Sequence, residues 1–66
     1  MEMEEKKVSI LLAVYNGENY VAEAVESILS QTYKNLELII CDDGSTDNTH
    51  NILKNFEYDS RVLYTY

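Results

Sequence analysis

Between two short, almost wholly apolar runs, residues 8–15 and 36–40, lies a segment in which Val21, Ala24, Val25, Ile28 and Leu29 recur at the spacing of one helix face. That interposed stripe constrains the fold more than any other feature. Two strands joined by a helix cannot form a hairpin, so the Asn16-Gly17 dipeptide, a hairpin turn in another setting, here only ends the first strand. A helical crossover instead calls for parallel pairing with a right-handed connection.

The stripe predicts a helix over 18–30, with Asn19 as N-cap and Glu18 as a second candidate, and with Glu23 and Glu26 off the apolar face. Residues 31–35 lack periodicity and read as the loop back to the sheet. The run at 36–40 contains two β-branched residues and suits a strand buried on both faces, and the run at 8–15 is too apolar for an edge facing water. After the second strand, Ser45 or Thr46 can cap a further helix through about residue 56. Asp47 would lie in its first turn, where the helix dipole favours negative charge, and Ile52, Leu53 and Phe56 would form its buried face. Residues 57–61 are turn-like and 62–66 read as a third strand. The expected fold is α/β, a Rossmann-like β-α-β-α-β unit with a parallel sheet.

With 66 residues the chain amounts to one small domain, preceded by a polar arm at 1–7, and a chain of this size buries only about 60% of its unfolded surface. Its formal net charge of −7 argues against nucleic acid or an anionic membrane surface as partner, since Lys6 and Lys7 alone make no basic patch. One cysteine, Cys41, excludes an internal disulfide and fits a reducing compartment, so the expected location is the cytoplasm. Neither a leader peptide nor a run approaching the roughly 20 apolar residues of a membrane span is visible.

The apolar run at 36–40 ends in Asp42-Asp43-Gly44-Ser45-Thr46, and in open parallel sheets ligands bind at the carboxyl ends of strands. Acids and a glycine after a strand are also ordinary turn chemistry. What favours a site is Tyr15-Asn16, which ends the first strand as Asp42-Asp43 ends the second, so that in a parallel sheet the two tips lie side by side. An aromatic ring beside a carboxylate suits a planar base such as uracil: the ring stacks and the carboxylate accepts a base N–H. Other chemistries are excluded by pattern. Two glycines, Gly17 and Gly44, cannot supply a dinucleotide fingerprint or a P-loop. A calcium loop begun at Asp43 would have Asn48 where glycine belongs and Lys54 where the bidentate glutamate belongs. His50 has no second histidine or cysteine at zinc spacing and is expected on the solvated side of its helix, while Cys41 is expected to be a small core residue.

The run VSILLAVYNGENYVAEAVESILSQTYKNLELIICDDGSTDNT closely resembles the opening of the inverting family 2 glycosyltransferases, nucleotide-sugar enzymes of the GT-A fold. The specific parts are a strand ending in Tyr-Asn, a helix ending in Ser-Ile-Leu-x-Gln-Thr-Tyr, and Asp-Asp-Gly-Ser-Thr-Asp after the second strand. The resemblance implies that Ala13 and Tyr15 border the nucleotide base, that Glu18 lies near the ribose, and that Asp43 accepts from the uracil ring, with Asn16, Asp42 and Ser45 supporting. Ala13 stands where the family often has proline or threonine, and Asn48 where glycine is frequent. The family's divalent metal, Mn or Mg, is held by an Asp-x-Asp motif on a later strand, and its catalytic base comes later still. No Asp-x-Asp occurs here. The chain therefore looks like the nucleotide-recognition part of an enzyme that transfers a sugar, expected from UDP, to an acceptor hydroxyl in polysaccharide or cell-surface glycan synthesis. On its own it is expected to be inactive. The resemblance also places the first strand mid-sheet, with strands two and three on one side, so residues 8–14 would be an apolar edge in this chain and could pair with a second copy. A different class stays open: a non-catalytic nucleotide-binding or receiver-like signalling module, which would need a third acid and a lysine on later strands and leaves Tyr15 unexplained.

Overall fold

The computed structural model describes residues 6–66, ordered β1 (Val8–Val14), α1 (Val21–Leu29), β2 (Leu36–Asp42), α2 (Thr49–Lys54) and β3 (Val62–Thr65). Most of the polar arm expected at 1–7 lies outside the described residues; Lys6 and Lys7 are exposed. All pairing is parallel in the order β1-β2-β3, with Val8 opposite Leu36 at one end and Val14 opposite Asp42 at the other. The expected β-α-β-α-β unit is the observed one.

Both helices cover the same face. Val21 and Val25 of α1 and Leu53 of α2, with Phe56 just beyond it, pack on Val14, Leu38, Ile40 and Val62. Leu38 and Ile40 of the central strand are fully buried, and each such side chain contributes about 1.5–3 kcal/mol through removal of apolar surface from water. The opposite face has no cover among the described residues. There Leu11, Ile39 and Leu63 stand in one row across the sheet, with Leu11 68% and Leu63 55% exposed.

That one-sided arrangement corrects three sequence expectations. β2 is not buried on both faces but alternates, with Leu36, Leu38, Ile40 and Asp42 inward and Glu37, Ile39 and Cys41 outward. Cys41 is exposed rather than in the core, because its position falls on the bare face. β1, too apolar for an edge by its composition alone, is an edge strand, as the resemblance implied for this chain.

Helix boundaries also differ. The carbonyl of Gly17 accepts from the amides of Tyr20 (3.0 Å) and Val21 (2.8 Å), so a tight turn precedes α1 and its N-cap is Tyr20, without a side-chain cap bond, rather than Asn19 or Glu18. A Cβ at Gly17 would come within 2.7 Å of the Tyr20 ring, whose half-exposed side chain would have to swing aside. Helix α2 begins after Asn48, not at Ser45 or Thr46, and ends at Lys54, with Phe56 in the following turn. Ser45 and Thr46 are drawn instead into the loop network described next.

Candidate nucleotide site at the carboxyl ends of the strands

β2 runs two residues further than expected, to Asp42, and strand alternation then sends adjacent acids to opposite sides. Asp42 continues the inward set and is only 6% exposed. Its Oδ1 accepts from the Ser45 amide (3.0 Å) and hydroxyl (2.6 Å), and its Oδ2 accepts from the Tyr64 hydroxyl (3.1 Å). Burial alone would raise its pKa, but the hydrogen bonds from Ser45 and Tyr64 outweigh it and hold the carboxyl below its ordinary range. Asp43, by contrast, is exposed, and its amide donates to the Val14 carbonyl (2.9 Å), extending the ladder by one bond. Since Val14 lies opposite Asp42, Tyr15 and Asp43 leave the paired strands together, and Tyr15 is 58% exposed. Ala13 lies one pair back, opposite Cys41, exposed on the uncovered face.

The tip of β1 is stitched to the loop before α2. Asn16 has a left-handed backbone (φ 50°), and its Oδ1 accepts from the amides of Thr46 (2.8 Å) and Asp47 (3.3 Å) while its own amide donates to the Ser45 hydroxyl (2.8 Å). The Gly17 amide donates to the fully buried Thr49 hydroxyl (2.8 Å). The next pair is reciprocal: the Glu18 amide donates to Asp47 (3.3 Å) and the Glu18 carboxylate accepts from the Asn48 amide (2.8 Å), the N-cap residue of α2. Glu18 thus serves the start of the second helix rather than the first. Asp47 also accepts from the Thr49 amide (2.9 Å) and hydroxyl. Partial burial works against its charge, yet these bonds from Thr49 and Glu18 hold it below the ordinary carboxylate range.

The structure therefore brings Asn16, Asp42 and Ser45 into one bonded cluster, sets Tyr15 and Asp43 at neighbouring tips, leaves Ala13 on the open face, and gives Glu18 a partner on α2. Missed from sequence were Tyr64 and His50. His50, expected to be solvated, is half-buried: Nδ1 lies 2.7 Å from the Tyr64 hydroxyl, and its ring centroid lies 4.0 Å from that of Tyr66. Spacing could have found both. Tyr64 falls two residues after the inward Val62, and His50 falls three before Leu53, which places each on the face toward the core. Burial first, then the hydrogen bond to the Asp42 carboxylate, pushes the Tyr64 phenol well above its ordinary pKa.

Among the described residues no group of three or more His, Cys, Asp or Glu side chains could hold a metal ion, and Asp42 is committed to Ser45 and Tyr64. No described helix is long and apolar enough to cross a membrane. At the opposite end of the sheet, Lys7, Lys34 and Arg61, each just ahead of a strand, line a cavity with Glu37, Ser60 and Leu63.

The model of the family described as "Glycosyl transferase family 2" matches residues 9–66. WfaP of Escherichia coli, named a UDP-Glc:alpha-D-GlcNAc-diphosphoundecaprenol beta-1,3-glucosyltransferase, is 54% identical over 56 residues, which are 85% of this chain and 22% of that protein. Glycosyltransferase GlyA of Streptococcus pneumoniae is 48% identical over 59 residues, 88% of this chain and 8% of GlyA. EpsE of Bacillus subtilis, whose name assigns it provisionally as a glycosyltransferase, is 53% identical over 58 residues, 85% of this chain and 21% of EpsE. The chain thus spans about a fifth or less of the length of these relatives. With nearly all of β1 and every later element inside the match, and with the Tyr-Asn and Asp-Asp tips side by side at the head of the sheet, the chain belongs to glycosyltransferase family 2.

Proposed function

We propose that this chain is the nucleotide-recognition part of an inverting glycosyltransferase that takes its sugar from a UDP-sugar and passes it to an acceptor hydroxyl in polysaccharide or cell-surface glycan synthesis in the cytoplasm. Tyr15 stacks on the uracil, Ala13 borders it, Asp43 accepts a ring N–H, and Glu18 lies toward the ribose. Asn16, Asp42 and Ser45 support the tips. The observation that carries the reading is the opposed placement of the two acids: Asp42 is consumed by internal hydrogen bonds, while Asp43 is exposed beside exposed Tyr15. The WfaP name, with its UDP-glucose donor and lipid-linked glycan acceptor, supports the donor class. The divalent metal and the catalytic base of the full reaction belong to parts of the enzyme other than these residues, and what this chain supplies is binding and orientation of the base.

The test is calorimetric titration of UDP into the full-length protein. A hydrogen bond to a charged group contributes about 1.5–3 kcal/mol, so Asp43→Ala is expected to weaken UDP binding by about ten- to a hundredfold. Asp43→Asn, which keeps an oxygen acceptor but loses the charge, should fall between. Wild-type affinity in a folded Asp43→Ala protein would sink the assignment.

A further inference from the structure

Asp42 is the middle of a longer chain of groups. From α2 the His50 Nδ1 meets the Tyr64 hydroxyl at 2.7 Å, and that hydroxyl meets Asp42 Oδ2 at 3.1 Å. The other Asp42 oxygen takes the Ser45 hydroxyl proton at 2.6 Å, and the same hydroxyl oxygen accepts the Asn16 amide at 2.8 Å. Only one arrangement of protons makes every link a hydrogen bond. The ionised Asp42 can only accept, so the single phenolic proton of Tyr64 points to it, and His50 must then donate to Tyr64 from Nδ1. The ring of Tyr66 covers the imidazole, and its hydroxyl donates to the Ser45 carbonyl (3.1 Å), closing the far side of the same loop.

We infer that His50 and Tyr64 are positioning residues for the tip of β1: through Asp42 and Ser45 they fix the peptide plane between Tyr15 and Asn16, and with it the ring that meets the nucleotide base. Neither touches the ligand. They act from α2 and β3 on a turn carried by β1, and donation converges on Asp42 from both sides, from His50 through Tyr64 on one and from the Asn16 amide through the Ser45 hydroxyl on the other. Every buried side-chain polar atom among the described residues has a partner, so removing one member of the link leaves its neighbours unpaired. The inference rests on the reading of the strand tips as the nucleotide site, but its first readout does not.

That readout is nuclear magnetic resonance of the full-length protein at about pH 8, without ligand. Wild-type His50 is expected to carry its proton on Nδ1, and the Asn16 amide to exchange slowly with solvent. In Tyr64→Phe, which keeps the ring and loses only the hydroxyl, the Nδ1–H signature should vanish and Asn16 exchange should accelerate about tenfold, the size expected for one lost buried hydrogen bond. His50→Ala should act in the same direction. His50→Asn, whose amide nitrogen can take the place of Nδ1, should restore most of the protection. UDP affinity should follow, weakened about three- to tenfold in Tyr64→Phe, whereas Asp43→Ala should weaken binding without changing Asn16 exchange. Unchanged Asn16 exchange in folded Tyr64→Phe and His50→Ala overturns the relay. Accelerated exchange with wild-type UDP affinity overturns its role in binding. Failure of the wild type to bind UDP overturns instead the nucleotide reading on which that role depends.

Discussion

At the scale of single residues, Asn16 combines two demands that few side chains meet. It sits at φ 50°, and its carbonyl oxygen takes two amides from the facing loop. A non-glycine, non-Asx residue in that region costs roughly 1–2 kcal/mol. Asn16→Ala is therefore expected to lose about 2–3 kcal/mol in urea unfolding, from strain and lost bonds together, and Asn16→Gly about 1 kcal/mol less than that. Equal losses would show that the backbone strain is unimportant. Asp59 sets a second residue-scale expectation. Hydrogen bonds from the Arg61 side chain first, then from its amide, lower its pKa from 3.8 to about 2. A carboxyl depressed in the folded state contributes stability above its unfolded pKa and loses it as pH falls through the folded value. Unfolding midpoints should thus decline between about pH 4 and about 2, and Asp59→Asn should flatten that limb. Asp42, also lowered, adds to the decline in the same direction. Of these roles the sequence showed the residue types but not the partners. Asn16 and Glu18 were legible as belonging to the tip; that their side chains reach Thr46, Asp47 and Asn48 depends on contacts some thirty residues apart, which no local pattern encodes.

At the scale of elements, the helical stripe of α1 and the Leu53/Phe56 face of α2 were readable because period and burial coincide there. The strands were misjudged because an apolar run says that a strand is fit for burial on both faces, not that both covers are supplied by the same stretch of chain. β2 has cover on one face only, so Cys41 is exposed, and the strand extends into its acids because Asp42 finds Ser45 and Tyr64 as partners. Helix starts were misplaced for a related reason: Ser45 is a good cap by type, but Asp42 and Asn16 claim it first. β1 carries the remaining expectation. Its free edge is seven residues long, with Val8 44% and Leu11 68% exposed, and unpaired edges of this kind recruit another strand. We propose that two copies of this chain pair β1 with β1, antiparallel about a two-fold axis. Light scattering of this chain at micromolar concentration should give a dimer, and a monomer would count against the pairing.

At the scale of the whole molecule, a parallel sheet puts every strand start at one end and every strand finish at the other, and the two ends differ in charge. Where the strands begin, Lys7, Lys34 and Arg61 are mixed with Glu37 and with the Asp59 that pairs with Arg61; where they finish, Glu18, Asp42, Asp43 and Asp47 gather without a Lys or Arg among the described residues. The more negative end is the one where the nucleotide is expected. A neutral uracil is indifferent to that field, but a diphosphate is driven off by it, so repulsion becomes an orienting force: the ligand is tolerated base first, with its anionic tail turned away from the sheet. Salt should then act opposite to its usual effect on an anion site. Without divalent metal, UDP affinity should rise when NaCl goes from about 20 to about 300 mM, as the screening length shrinks from roughly 20 to 6 Å, while uridine affinity should stay level. Calorimetry on the two ligands side by side makes the comparison, and a fall in UDP affinity with salt would show that this charge is masked. The same polarity means that a diphosphate held at this end would need positive charge from outside the described residues, because no Lys or Arg among them lies where the strands finish.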